Sequence, residues 1–315
     1  MPPKRLGKAR VMDIYLPIAG LSVNALVIVG LGGLVGLLSG MFGVGGGFLT
    51  TPLLIFYGIP PTVAVASSAT QITGASVSGV LAHTARGGVD FKMGAVMIVG
   101  GAFGSFAGAW AFAGLQAIGQ VDTVIALTYV VLLGSIGAMM AKESGQAILA
   151  SRRGTAPAVS PRKRRRLINA LPFRWRFNRS GLYISPVAPF VLGFLTGLLT
   201  VLLGVGGGFV MVPAMIYLLG MATNVVVGTS LLQILFVTAI TTLVHATTTK
   251  AVDIVLAALL LIGSVTGAQF GARFALKMKP EWLRFGLAVI VLAVAVRMAL
   301  GLGWRPEEIF TVEPL

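Results

Sequence analysis

Long apolar segments alternate with short polar ones along almost the whole chain. Eight of these segments have the length of a membrane-spanning helix, which needs about 20 apolar residues: residues 11–41, 62–85, 93–115 and 121–141, then 184–203, 225–248, 252–276 and 282–301. Two further apolar segments, 48–57 and 209–219, are too short to cross a bilayer comfortably. The pattern predicts an all-α polytopic membrane protein whose first span is not cleaved as a signal peptide.

The chain repeats itself. The hexapeptide Gly-Val-Gly-Gly-Gly-Phe occupies residues 43–48 and again residues 204–209, which is an offset of 161 (204 − 43). The same offset, drifting to 163, relates Ser68 to Ser230, Gln71 to Gln233, His83 to His245 and Asp90 to Asp253. Self-similarity at a fixed offset predicts two homologous repeats. We therefore expect each repeat to contain about four full transmembrane helices and one short broken or re-entrant helix.

The sequence is compatible with two orientations of the second repeat relative to the first. If the short segments are re-entrant, the chain crosses eight times, and the N-terminal tail and the central linker are both cytoplasmic. If they cross fully, each half has five spans and the halves are inverted, 5+5. We favour eight crossings, because ten would send the basic N-terminal tail outside, although eight place Lys277, Lys279 and Arg284 outside.

Composition and charge support a membrane protein with a basic linker. The chain has 315 residues, 56% of them hydrophobic and 10% charged, and a net charge of +15. Of the 24 Lys and Arg residues, four precede residue 11 and eleven lie between residues 142 and 179. Basic residues gathered in loops indicate cytoplasmic orientation and attraction to anionic lipid head groups rather than nucleic-acid binding.

These features divide the chain into five parts. Residues 1–10 form a basic cytoplasmic tail, 11–141 the first transmembrane repeat, 142–183 a basic cytoplasmic linker, 184–302 the second transmembrane repeat and 303–315 the C-terminal tail. The linker contains prolines and little apolar periodicity, so we expect it to be mostly disordered.

The glycine runs are the main candidate for a binding site. Two broken segments at corresponding positions of two repeats are a sequence-level sign of a transporter's midplane site. A helix that starts there directs free N–H groups and the positive end of its dipole at an anion, and glycine lets a ligand approach the backbone. The candidate residues are Gly43, Gly45, Gly46, Gly47, Gly204, Gly206, Gly207 and Gly208. The alternative is that these glycines only permit tight helix packing.

Polar side chains follow each run. Ser68 with Gln71, and Ser230 with Gln233, are spaced i to i+3, so each pair shares one face of a helix. Hydroxyl and amide groups suit an oxyanion without a buried charge, whereas the plainer alternative is hydrogen bonding between helices.

The histidines and aspartates have competing roles. His83 and His245 could carry a coupling proton, or could have interface or packing roles near the lipid head groups. Asp90 and Asp253 precede helices, and we expect them to cap these helices rather than to bind substrate.

No enzyme, cofactor or metal site is predicted. The glycine runs do not continue into the Gly-Lys-Ser/Thr of a nucleotide-binding loop, and there is no H-E-x-x-H sequence. With no cysteine and two histidines, the chain lacks the usual ligands of a transition metal.

The motifs resemble those of a known family. Residues 40–48 have the sequence GMFGVGGGF, followed by TPLL at 51–54, and residues 204–213 carry the second copy. This doubled motif is similar to that of the TauE/SafE family of sulfite and organosulfonate exporters, over roughly residues 20–142 and 184–302. The resemblance implies a carrier in the bacterial inner membrane for sulfite or related sulfonates, driven by an ion gradient.

Three functions are compatible with these features. The first is a secondary transporter that exports a small anion by alternating access around the two glycine-rich helix starts. The second is an anion channel that uses the same helix starts as its pore lining. The third is a membrane scaffold that does not transport and whose basic linker recruits a partner. Each is compatible with a monomer or a homo-oligomer.

Overall fold

The computed structural model describes residues 13–42, 46–152, 174–275 and 280–303. This part of the chain is mainly helical. Its helices are α1 (Ala25–Phe42), α2 (Gly47–Phe56), α3 (Pro61–Ala85), α4 (Phe91–Ala117), α5 (Val121–Arg152), α6 (Val187–Leu203), α7 (Gly208–Ala214), α8 (Thr223–Thr247), α9 (Ile254–Ala275) and α10 (Pro280–Gly303). Helix α7 continues directly into a π-helical turn, Met215–Leu219.

Five of the described helices are long and apolar enough to cross a membrane. The qualifying segments are Phe91–Ala117, Val121–Leu149, Val225–Thr247, Ile254–Gly271 and Phe285–Leu302. Large apolar side chains cover their outer faces, and Trp110 of α4 is 87% exposed. Such surfaces are stable in contact with lipid tails. The protein is therefore a multi-pass helical membrane protein.

Two short antiparallel hairpins were not predicted. Strands β1 (Asp13–Leu16) and β2 (Leu21–Asn24) pair directly before α1, and strands β3 (Trp175–Phe177) and β4 (Leu182–Ile184) pair shortly before α6. The expectation of one apolar span over residues 11–41 was therefore wrong in its first part. Hydropathy does not distinguish a short apolar hairpin from the beginning of an apolar helix.

Both flanks of the predicted linker contain regular secondary structure. Helix α5 continues to Arg152, eleven residues (152 − 141) beyond the expected end of the first transmembrane part. The hairpin β3–β4 lies near the linker's other end, so the expectation of disorder fails on both flanks. Residues 153–173 lie outside the described part of the chain, as do the two tails, 1–12 and 304–315.

Helices α1 and α9 lie in direct backbone contact. Glycines one turn apart on α1 each abut the main chain of α9: Gly32 lies against Leu260, Gly36 against Ser264 and Gly40 against Ala268. Residue numbers rise together along this contact, so the two helices are parallel. No side chain larger than hydrogen fits at these positions without moving one helix.

Helices α4 and α6 repeat this arrangement. The contacts again come from small residues on both sides: Gly100 lies against Phe190, Gly104 against Phe194, Gly193 against Met97 and Gly197 against Gly101. This pair is also parallel. In each case the first helix of one half packs along the fourth helix of the other half.

Helices α3 and α8 cross through hydroxyl pairs and run antiparallel. The Thr73 hydroxyl donates to Thr238 at 2.8 Å, and the hydroxyls of Thr70 and Thr242 lie 3.3 Å apart. As residue numbers rise on one helix they fall on the other. These two helices hold equivalent positions in the two halves of the sequence, so the direction of this pair bears on how the halves are related.

Two buried aspartates attach the hairpins to the helices. Asp90 Oδ1 accepts from the N–H of Met93 at 3.0 Å and so caps α4, while Oδ2 accepts from Ser180 N at 2.9 Å and from Ser180 Oγ at 2.6 Å. Asp253 caps α9 through Leu256 N at 3.1 Å and accepts from Ile18 N at 3.2 Å. The capping role expected of both aspartates is confirmed.

The glycine contacts predict opposite effects for two substitutions on one helix. Gly104→Ala places a methyl group against the Phe194 carbonyl, and we expect a loss of roughly 1–3 kcal/mol in stability. Gly114→Ala is the matched control on α4, because nothing lies within 4 Å of its added carbon. Alanine there should be neutral or stabilising by up to about 1 kcal/mol. Thermal unfolding of the two detergent-solubilised variants measures both effects, and equal midpoints would contradict the packing.

The aspartate contacts predict a second pair of outcomes. Asp90→Ala removes a cap and two hydrogen bonds from Ser180, so we expect it to lower the free energy of unfolding by about 3 kcal/mol. Asp122, which is exposed in the first turn of α5, serves as the control. Asp122→Ala should cost less than about 1 kcal/mol. Chemical unfolding in detergent reports both values; a similar loss in both variants would show that the Asp90 contacts contribute little.

Candidate functional site

Each glycine run interrupts a helix and starts a new one. Helix α2 follows Gly46, whose carbonyl accepts from the N–H of Leu49 at 3.1 Å. Helix α7 follows Gly207, whose carbonyl accepts from the N–H of Met211 at 2.8 Å. The first N–H groups of each helix therefore have no partner inside it. Helix starts at these residues agree with the sequence; Gly43 and Gly45 lie outside the described residues.

The second run needs glycine for its backbone conformation. Gly204 ends α6 with φ of 68°, and Gly206 and Gly207 have φ of 70° and 76°. This left-handed region is costly for residues that carry a Cβ atom. Gly208, the first residue of α7, is buried. The run is therefore a turn that few other residues could form.

Each break turns the chain back along the helix that it has just left. Gly46 lies beside Val35 of α1, and Gly207 lies beside Thr196 of α6. Both neighbours are eleven residues earlier in the chain (46 − 35 and 207 − 196). The short helices α2 and α7 thus begin well inside the protein and not at its edge.

The two breaks meet. The rings of Phe48 and Phe209 stack with their centroids 4.5 Å apart and an angle of 14° between their planes. Gly47 lies against the main chain of Val205, and the Ile72 side chain contacts both Gly47 and Gly206. Two glycine runs that are 161 residues apart in sequence therefore form one buried cluster.

Gln71 lies beside the start of α2. Its Nε2 donates to Ser264 Oγ of α9 at 2.8 Å. The Thr50 hydroxyl in the first turn of α2 is 3.5 Å from Gln71 Oε1 and 3.2 Å from the Gly46 carbonyl oxygen. The Thr50 side chain therefore links the amide of Gln71 to the start of α2.

Gln233 lies in the same way beside the start of α7. Its Nε2 donates to Thr196 Oγ1 at 3.1 Å, and Thr196 is the neighbour of Gly207. The other amide atom, Gln233 Oε1, is buried without a hydrogen-bond partner among the described residues. A buried unpaired polar atom costs free energy, so it marks a place where a polar ligand group would be favourable.

The two serines differ from each other. The Ser68 hydroxyl is buried and has no partner in the described part of the chain. The Ser230 hydroxyl donates to the Val227 carbonyl of its own helix at 2.9 Å. Ser68 thus keeps a free donor for a ligand, whereas the hydroxyl proton of Ser230 is already used.

The two histidines also differ, although the sequence places them at equivalent positions. His83 is half-buried near the end of α3. His245 is 0% exposed, with its Nε2 3.0 Å from the Val201 carbonyl oxygen and its ring edge-on to Phe112 at 5.1 Å. An interface role in water is therefore wrong for His245, whereas a packing role remains compatible with its contacts.

Sequence reasoning missed Tyr129 and Thr196. Tyr129 is fully buried in α5, and its hydroxyl donates to the Leu203 carbonyl at 2.5 Å, directly before the break at Gly204. The repeat gave no signal, because the position at an offset of 163 is a leucine, Leu292. Thr196 could have been found, since it and Thr200 are polar residues one turn apart in an apolar segment.

The chemistry of this cluster is that of neutral hydrogen-bond donors. It contains backbone N–H groups at two helix starts, two amides and several hydroxyls, and each side chain named at the breaks is uncharged. Within the described residues there is no group of three His, Cys, Asp or Glu side chains that could hold a metal ion. The arrangement can bind a small anion through donors alone.

Comparison with known proteins relates the chain to membrane transporters. Residues 28–298 match the family model described as sulfite exporter TauE/SafE. A probable membrane transporter protein of Xylella fastidiosa (strain 9a5c) is 29% identical over 279 residues, which cover 87% of this chain and 95% of the relative. Probable membrane transporter protein YjnA of Bacillus subtilis (strain 168) is 28% identical, over 87% of this chain and 98% of its own.

No solved structure matches the chain at a significant level. The family match spans both glycine runs and both glutamines. The chain therefore belongs to the TauE/SafE sulfite exporter family of membrane transporters.

Proposed function

We propose that the protein is a secondary transporter that exports a small anion, either sulfite or an organosulfonate, by alternating access around the two helix starts. The single observation that carries this proposal is the meeting of α2 and α7 at the Phe48–Phe209 stack. Both positive helix ends face one buried region, and a neutral amide lies beside each of them. An anion bound there would be stabilised by two helix dipoles without a buried cation.

The substrate class follows from the donors and the family. A sulfite or sulfonate group carries three oxygen atoms that accept hydrogen bonds. The N–H groups of Gly47, Phe48, Gly208 and Phe209, with the amides of Gln71 and Gln233, would donate to them. The free Oε1 of Gln233 would face a protonated oxygen or a bridging water.

The helix directions favour inverted repeats over the eight-crossing arrangement. Helices α3 and α8 hold the same place in the two halves, yet they run antiparallel. A two-fold axis perpendicular to these helices, and so within the membrane plane, would relate them. Five segments per half, with α2 and α7 as short segments that turn back into the protein, give this relation.

Inversion changes the expected orientation of the tails. With five segments per half, the N-terminal tail and the central linker lie on opposite sides of the bacterial inner membrane. We assign the linker to the cytoplasm, because the linker contains eleven basic residues whereas the N-terminal tail has four. This replaces the expectation that both are cytoplasmic, and the linker keeps its proposed contact with anionic head groups.

A carrier is favoured over a channel by the aromatic stack. Phe48 and Phe209 fill the space between the two helix starts, and both are fully buried. An open pore would need a continuous polar passage at this point. The rings would have to separate before an anion could pass between the helix starts, as in alternating access.

The amides give a sharper test of the site than the glycines do. Substitution at Gly207 strains the backbone, and at Gly46 it collides with Val35, so a loss of activity would not separate binding from packing. Gln71→Leu and Gln233→Leu keep the side-chain size and remove the donors. We expect the double variant to raise the KM for radiolabelled sulfite in proteoliposomes at least about tenfold, because hydrogen bonds to a charged ligand contribute roughly 1.5–3 kcal/mol.

The control is Gln269→Leu, on the exposed face of α9. It should transport sulfite with the wild-type KM, and both variants should show the wild-type unfolding midpoint within a few degrees. Unchanged transport in a well-folded double variant would show that the amides do not bind the anion. The absence of saturable flux of sulfite or simple sulfonates in the wild type would overturn the substrate assignment.

A further inference from the structure

The end of α6 leaves backbone carbonyls that need partners inside the protein. The last four carbonyl groups of a helix have no intrahelical donor. Here the Gly204 N–H donates to the Thr200 carbonyl at 2.8 Å, and the Tyr129 hydroxyl donates to the Leu203 carbonyl. The Nε2 atom of His245 forms a hydrogen bond with the Val201 carbonyl oxygen. His245 is thus bonded to the negative end of α6, at a carbonyl three residues before Gly204 (204 − 201).

The hydrogen bonds of His245 allow two protonation states with the heavy atoms in the same place. Because a carbonyl only accepts, the proton on Nε2 must be present in both states. Nδ1 is 3.2 Å from Thr249 Oγ1, and the same hydroxyl is 2.9 Å from the carbonyl oxygen of His245. If the hydroxyl proton points to Nδ1, the imidazole is neutral. If it points to the carbonyl, Nδ1 can carry a proton and donate it to Thr249.

Within the described part of the chain, no charged side chain forms a hydrogen bond or ring contact with His245. Helix α6 presents the Val201 carbonyl, α4 presents the Phe112 ring and the turn after α8 presents Thr249. The titratable group associated with the same helix end is Tyr129 of α5, whose hydroxyl is held by Leu203. The proton on His245 would therefore be compensated by the dipole of α6, since a helix C-terminus favours a cation.

The break then separates two opposite binding functions. The carbonyl end of α6 can hold a proton on His245, and the N–H end of α7 can hold the anion proposed above. Four residues, Gly204 to Gly207, connect the two ends. A charge bound at each end would stabilise the other, because both lie in a low-dielectric interior.

Several buried polar side chains lie between His245 and the proposed anion region. Thr241 lies one turn before His245 on the same face of α8, and Gln233 lies two turns further. Thr241 Oγ1, Gln233 Oε1 and Ser105 Oγ of α4 are all buried without a partner among the described residues. In the other direction, Thr249 is half-buried at the end of α8, next to the exposed Lys250.

The first half of the chain lacks these features. On α3, the position that corresponds to Thr241 is Gly79, which has no polar side chain. His83 is half-buried, and its ring makes no hydrogen bond to another described residue. The two histidines are therefore not interchangeable.

From this geometry we propose that His245, and not His83, binds and releases a proton that crosses the α6–α7 break together with the anion and in the same direction. The inference rests on the proposed function. It predicts proton movement in a fixed ratio with the anion. The competing role is purely structural, with His245 serving only as a cap for the Val201 carbonyl.

His245→Gln separates the two roles, because its Nε2 can still donate to the Val201 carbonyl but it cannot take up a proton near neutral pH. The variant should keep sulfite counterflow at equal pH and lose the acceleration by a pH gradient. With one proton per anion, the wild type should reach about tenfold accumulation for a gradient of one pH unit. His83→Gln is the matched control and should behave as the wild type does.

The outcomes distinguish the inference from the proposed function. Gradient-driven accumulation that persists in His245→Gln, or wild-type flux that does not respond to the gradient, would overturn the coupling role and leave sulfite transport standing. No sulfite flux in the wild type at any pH would instead contradict the proposed function.

A second measurement does not depend on flux. The chain has two histidines, so NMR of protein with 13C-labelled histidine rings gives two signals, which His83→Gln and His245→Gln assign. We expect the His245 signal to titrate with pH and its midpoint to rise when sulfite is added. A signal that stays in one protonation state at every pH at which the protein remains folded, with and without sulfite, would overturn the inference.

Discussion

The contact of helix backbones at glycine is the constraint on which the rest of this structure depends. In lipid there is little hydrophobic driving force between helices, so close packing and hydrogen bonds must hold them together. The pairs α1–α9 and α4–α6 meet this need with glycines placed one turn apart on the contact face. Each pair joins one half of the chain to the other, so neither half encloses the site alone.

This packing makes the broken helices tolerable. An interrupted helix exposes N–H and carbonyl groups that lipid cannot satisfy, and it persists only inside protein. The breaks lie at the meeting point of α2 and α7, where Tyr129 and His245 bond the free carbonyls of α6 and the two phenylalanine rings close the centre. The free N–H groups at the helix starts remain for an anion, which links the architecture to the proposed transport.

The candidate site was predictable in part. The glycine runs, the glutamines beside them and the neutral character of the donors follow from residues visible in the sequence. The asymmetry did not follow: Ser230 is bonded within its helix and Ser68 is free, and His245 is enclosed whereas His83 is half-buried. Equivalent positions in a repeat share a backbone location, but their contacts depend on neighbours that differ between the halves, such as Tyr129 and Leu292.

The sequence by itself determined the membrane class, the approximate positions of most helices, the capping aspartates and the two helix starts, because each depends on a local run of residues. It did not determine the hairpin at the beginning of the first apolar run, since apolar strands and apolar helices have similar hydropathy. Only the tertiary structure decided that α3 and α8 are antiparallel and that Phe48 stacks on Phe209. Those relations are set by packing between segments far apart in the chain, which a local pattern does not record.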